Sequence, residues 1–119
     1  MKLLRCGKKG NEKPAVLDKN GIIRDLSSHV LDFDPKNLNF TTLEKLVKIN
    51  LESLPEISKS TRIGSCINKP GKFIGIGLNY SDHAAEYGTK NPTEPIFFMK
   101  ATSCISGPND NIIIPKNSK

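Results

Sequence analysis

Tryptophan is absent from this chain of 119 residues, cysteine is scarce, and no apolar run approaches membrane-spanning length. Each shortage excludes something. A transmembrane helix needs about 18 or more consecutive apolar residues, so a composition of 36% hydrophobic and 25% charged residues reads as that of a soluble domain. The start, Met1-Lys2-Leu3-Leu4-Arg5, offers only a two-residue apolar step before charge returns. That is too short for a secretory signal, and a cytoplasmic protein is the expectation. Cys6, Cys66 and Cys104 are widely spaced with no Cys-x-x-Cys pair, which removes the usual spacing for zinc or dithiol chemistry. Free, mostly buried thiols are expected instead. A basic cluster is missing too. The formal charge is +6, but lysines run from Lys2 to Lys119 and are interrupted by acids such as Asp18, Asp32, Glu44 and Glu56. No basic face forms, and neither nucleic acid nor a membrane is an expected partner.

What the sequence does have is concentrated at residues 71–86, Gly-Lys-Phe-Ile-Gly-Ile-Gly-Leu-Asn-Tyr-Ser-Asp-His-Ala-Ala-Glu. The pattern predicts an apolar strand that runs into a short helix carrying His83 and Glu86. Residues three apart share a helix face, so the carboxylate can bond the imidazole and fix one tautomer, the arrangement that general acid/base chemistry needs. Alternation along the strand puts Phe73, Gly75, Gly77 and Asn79 on one face and Ile74, Ile76 and Leu78 on the other. The bare glycines leave room for a ligand or a second backbone. Gly75-Ile76-Gly77 also opens like a dinucleotide fingerprint, but Tyr80 stands at the third glycine position and excludes that reading.

The first sixty residues form a unit of their own in this reading. Asn20-Gly21 between apolar runs predicts a hairpin, with Lys2 to Cys6 as a third strand. Asp34-Pro35 opens a helical turn, and Thr41-Thr42-Leu43-Glu44 has the spacing of a capping box. A helix then carries Leu43, Leu46, Val47, Leu51 and Leu54 on one face as far as Pro55. Residues 56–72 read as a connector with a short strand at Arg62 to Ile67. His29 has no partner by spacing and is taken as structural. Gly88 marks a helix stop, and the polar loop Thr89 to Pro95 is either an ordinary surface connection or a lid. Ile96-Phe97-Phe98-Met99 and Ile112-Ile113-Ile114 do not alternate, and as strands they expect cover on both faces.

Gly77-Leu78-Asn79-Tyr80, His83, Glu86 and Glu94-Pro95-Ile96-Phe97-Phe98-Met99-Lys100 stand in the order and spacing of the fumarylacetoacetate hydrolase family, which the chain resembles through Gly107-Pro108-Asn109-Asp110 to Ile114-Pro115. Lys2-Leu3-Leu4-Arg5 and Ile23-Arg24-Asp25-Leu26-Ser27 are similar to the front domain of bacterial members often called ureidoglycolate lyase or 2-hydroxyhepta-2,4-diene-1,7-dioate isomerase. The resemblance implies an α+β chain. Residues 1–60 would be a small hairpin-and-helix domain, and residues 61–119 the start of a mixed β-roll catalytic domain.

It further implies hydrolysis, lysis or isomerisation of small 2-oxoacid or β-dicarbonyl substrates, with Mg²⁺ or Mn²⁺ stabilising an enolate. His83 and Glu86 would be the catalytic pair, Lys100 a ligand of the anionic substrate, and the full-length protein a homodimer. No Glu-x-Glu, the family's metal-binding pair, occurs in these residues. The expectation is therefore an N-terminal portion that binds no metal and is inactive alone. The rival expectation is a complete, non-catalytic interaction domain whose exposed sheet pairs with a partner.

Overall fold

The computed structural model describes residues 1–118. Two compact units divide the chain. The first takes residues 1–69 and residues 106–118, and the second takes Pro70–Ile105. Among the described residues two α-helices and two antiparallel sheets make an α+β chain, as the sequence leads one to expect.

In the first unit β1 (Lys2–Cys6), β2 (Lys13–Leu17), β3 (Ile23–Asp25) and β4 (Glu56–Ile57) lie side by side in that order. Each pairing is antiparallel, with Leu4 opposite Ala15, Leu17 opposite Ile23 and Ile23 opposite Ile57. The hairpin forms, but its turn is wider than a two-residue Asn-Gly loop. Asp18 accepts the amides of Asn20 and Ile22 at 2.8 and 2.9 Å, and of the two turn residues only Gly21 takes a positive φ, +74°. A carboxylate that bonds its own downstream backbone replaces the tight turn.

Helix α1 (Phe40–Val47) starts from Asn39, whose side chain accepts the Thr42 amide at 3.0 Å. The Thr41 capping box is not used. The helix also ends sooner than the leucine spacing predicts, because Asn50 caps a separate 3₁₀ turn, Leu51–Ser53. Val47 consequently faces solvent. Leu46 and Leu54 still reach one core with Val16, Leu26, Val30 and Phe33, and Leu51 borders it. The opposite sheet face buries Cys6, Ala15 and Ile23 against Leu4, Leu17, Ile57 and Ile63. Asp34-Pro35 opens a single helical turn as expected, closed by the Leu38 amide on the Asp34 carbonyl at 2.9 Å and capped by the Asp34 side chain, which accepts the Lys36 and Asn37 amides. Cys6 is buried, and burial pushes its thiol pKa up. Cys66 and Cys104 are exposed, contrary to expectation, since each sits in a connecting segment with little packed over it.

Residues 62–67 make no strand. Ile63 forms a single bridge to Cys6, flanked by backbone bonds from the Gly7 amide to the Arg62 carbonyl at 2.9 Å and from the Gly64 amide to the Arg5 carbonyl at 2.8 Å. A chain of charges runs through this unit. Asp32 takes two bonds from Arg5, at 2.6 and 2.9 Å, and one from Asn68 at 2.7 Å. Arg5 approaches Glu12 at 3.6 Å, Glu12 takes Arg62 at 2.8 Å, and Arg62 grips Asp110 through two bonds of 2.7 and 2.6 Å. Asp110 also accepts the Gly107 amide at 2.8 Å. Gly107 lies so close to the Ile63 carbonyl oxygen that a Cβ there would collide with it. Burial by itself raises the Asp32 and Glu12 carboxyls, but the arginines and nearby donors outweigh it and both lie below the usual carboxylate range.

The Arg62 guanidinium, then the Gly107 amide, hold Asp110 down to about 2. Its folded value lies below its unfolded one. The clasp therefore contributes fully above the ordinary aspartate pKa and is lost as pH falls through about 2. An acid titration that follows the Gly107 amide proton by NMR should show a midpoint near that value; a midpoint at the ordinary aspartate pKa would mean that no clasp forms.

The second unit is a ribbon and a helix. Strands β5 (Phe73–Gly77) and β6 (Ile96–Lys100) pair antiparallel from Phe73 opposite Lys100 to Gly77 opposite Ile96. Gly75 faces Phe98, whose ring occupies the space a Cβ would need. What approaches the bare glycine is thus a side chain of the neighbouring strand rather than a ligand or a backbone. Phe97 and Met99 are exposed, as are Ile74 and Ile76. Ile112 to Ile114, read from sequence as a strand, are exposed and irregular, since no strand among the described residues lies beside them to share a ladder.

Candidate active site

Between the two strands of the ribbon the chain turns sharply at Leu78, a non-glycine residue at φ +47°. Left-handed backbone at a branched side chain is strained, and here it redirects the chain from β5 into α2 (Ser81–Glu86). The helix is short but firmly stopped. Gly88 takes φ +64°, its amide bonds the Ala85 carbonyl at 2.9 Å, and the Thr89 amide bonds the Ala84 carbonyl at 3.0 Å. The Thr89 hydroxyl adds a bond of 3.2 Å to the same carbonyl. This double closure is the Schellman stop, and it matches the role the sequence gives Gly88. Ala84 is fully buried and anchors the helix.

His83 and Glu86 come together on the face that their spacing predicts. Nδ1 of the imidazole lies 3.4 Å from Oε2 of the carboxylate, with the side chains 49% and 74% exposed. A contact of this length between two exposed groups is weak. Tyr87 adds a contact that the sequence reading missed: its ring stands edge-on to the imidazole, with centroids 5.0 Å apart and an interplanar angle of 79°. The signal was available, since Tyr87 is four residues from His83 and shares its helix face.

Beside the helix start, a cleft of about 520 Å³ opens between the end of β5 and the loop of residues 91–95. Its polar lining comes from Asn79, Ser81, Asn91, Thr93 and Glu94, with Leu78 at its edge. His83 and Glu86 are not among the residues that line it.

Lys100 is not brought to the pair. It sits opposite Phe73, at the other end of the ribbon from α2, four strand steps or roughly 13 Å away along β6. Its Nζ lies 5.4 Å from the Phe73 ring centre and 5.7 Å from that of Phe98. Attraction of an ammonium to two aromatic faces accounts for this position without a substrate.

The segment that carries the ribbon, helix and cleft, residues 72–119, matches the family model described as fumarylacetoacetate (FAA) hydrolase C-terminal. Over that segment the chain is similar to the fumarylacetoacetate hydrolase family. Relatives align over 118 residues, 99% of this chain. Proteins of Burkholderia ambifaria, Burkholderia lata and Burkholderia multivorans, each named "Putative hydrolase", are 56%, 55% and 54% identical. The chain spans 42% of the length of these relatives.

The metal expected of the fumarylacetoacetate hydrolase family finds no matching donor set here. Among the described residues no three His, Cys, Asp or Glu side chains group to hold an ion. Glu12, Asp32 and Asp110 are each taken up by an arginine. These residues do not fit a divalent cation. Nor is any helix among the described residues long and apolar enough to cross a membrane.

Proposed function

We propose that this chain supplies the proton-transfer pair of a fumarylacetoacetate hydrolase-family enzyme that cleaves or isomerises small 2-oxoacid or β-dicarbonyl substrates. In this reading the complete enzyme is a homodimer using Mg²⁺ or Mn²⁺ held by groups outside these residues, and the β5–β6 ribbon begins its rolled catalytic sheet. The observation that carries the proposal is the His83–Glu86 contact on α2, in a segment that matches the family. Glu86 accepts a hydrogen bond from Nδ1–H and so leaves the Nε2 lone pair free. In cleavage His83 takes a proton from a water whose oxygen adds to the substrate carbonyl carbon, and gives that proton to the carbon released as the carbon-carbon bond breaks; in isomerisation it carries a proton from one substrate carbon to another.

The test is a graft. Residues 1–119 replace the matching segment of the Burkholderia ambifaria relative, and a panel of acylpyruvates and other 2-oxoacids is followed by loss of enol absorbance. Turnover of the same order as the parent's own is expected, while residues 1–119 alone give none. A graft silent on every substrate that the parent consumes would sink the proposal. Exposure of Phe97 and Met99 favours a second reading, an interaction module that lends its ribbon to another chain. That reading expects the silent graft.

A further inference from the structure

We propose that Tyr87 is a positioning residue for His83, acting with Glu86 to hold the imidazole in the tautomer that leaves Nε2 unprotonated. This rests on the acid–base reading given above. His83, Glu86 and Tyr87 occupy positions i, i+3 and i+4, so one helix face presents a carboxylate and an aromatic ring to the same imidazole. The carboxylate lies 3.4 Å from Nδ1 and selects which nitrogen carries the proton. By itself that contact is weak, since both side chains are substantially exposed and the imidazole can rotate about its own bond to trade nitrogens. Tyr87 opposes that rotation. Its ring stands at 79° to the imidazole at a centroid separation of 5.0 Å, the edge-to-face geometry favoured by aromatic quadrupoles.

Tyr87 is itself held from behind. It is the C-cap of α2, and the next two residues close the helix through Gly88 to Ala85 and Thr89 to Ala84. The backbone that presents the phenol ring is therefore tied on its C-terminal side, although the ring is exposed. The contact needs the ring and not the hydroxyl, because no hydrogen bond joins the two side chains. Phenylalanine should therefore replace tyrosine, and an aliphatic side chain should not.

The experiment is ¹⁵N NMR of the intact chain at a pH where the imidazole is neutral, reading the His83 Nδ1 and Nε2 shifts in the wild type, Tyr87→Phe and Tyr87→Leu. Free histidine carries its proton mainly on Nε2, so predominance of Nδ1–H in the wild type and in Tyr87→Phe is a distinctive result. In Tyr87→Leu the Nδ1–H to Nε2–H ratio should fall by about threefold or more. An unchanged ratio in Tyr87→Leu overturns the positioning role and leaves the His83–Glu86 pair intact. An Nε2–H wild type removes the pair, and with it the proposed function. Should Tyr87→Leu unwind the end of the helix, wild-type cross-relaxation between His83 and Tyr87 ring protons decides the matter. Its presence supports the contact, and its absence overturns the proposal.

Discussion

Alanine in place of His83, introduced into the grafted full-length protein, lowers kcat by about 10²- to 10⁴-fold and changes KM little. That is the size of effect expected when a positioned general acid or base is removed. The pattern matters as much as the size. A group that moves a proton only in the transition state should depress kcat and kcat/KM together, whereas loss of a simple binding contact would raise KM alone. Glu86→Gln keeps the shape of the partner but removes its charge, and should give the same pattern with a smaller drop. Both side chains are exposed, so neither substitution should move the unfolding midpoint appreciably. Full activity in His83→Ala would remove the imidazole from the mechanism.

The largest stability effect should come from the first unit. Arg5 is 4% exposed, sits on β1, and approaches both Asp32 and Glu12. Arg5→Ala leaves a part-buried carboxylate with only amide donors, and breaking a buried pair from one side typically costs about 3–5 kcal/mol. Since whole domains are stable by only about 5–15 kcal/mol, the urea midpoint should drop steeply or the chain should fail to fold. Removing the carboxylate as well gives the control. Arg5→Met with Asp32→Leu should be less damaging than the two single losses added together, because no charge is left unpaired at that end of the network. A cost below about 1 kcal/mol for Arg5→Ala would mean that the pair behaves as a surface salt bridge.

Local chemistry was legible in the sequence and distant chemistry was not. The hairpin, the helix stop at Gly88 and the His83–Glu86 face all follow from residues within a few positions of one another. The start of α1 was missed because Asn39 and Thr41 both offer a capping oxygen, and the sequence does not rank them. Its end was missed because Asn50 caps a new turn inside an unbroken leucine pattern. That pattern still foretold the core correctly, since Leu46, Leu51 and Leu54 meet the same sheet face across the break. Arg62 read as part of a short strand, but its partners are 50 and 48 residues away, and no periodicity points to Glu12 or Asp110. At the site, Tyr87 was passed over because a ring beside a helix stop looks like a surface residue until its neighbour is seen.

Asp110 follows the ribbon in sequence yet completes the electrostatics of the N-terminal body. A polypeptide that stops between residues 64 and 72, at the close of the stretch after α1 where composition marks a seam, would strip Arg62 of a bidentate partner and uncover the Ile63 backbone beneath Gly107. The seam visible in composition and the seam along which this molecule could be parted are different places, and the smallest autonomous piece of the front half must carry its closing strap from beyond the ribbon.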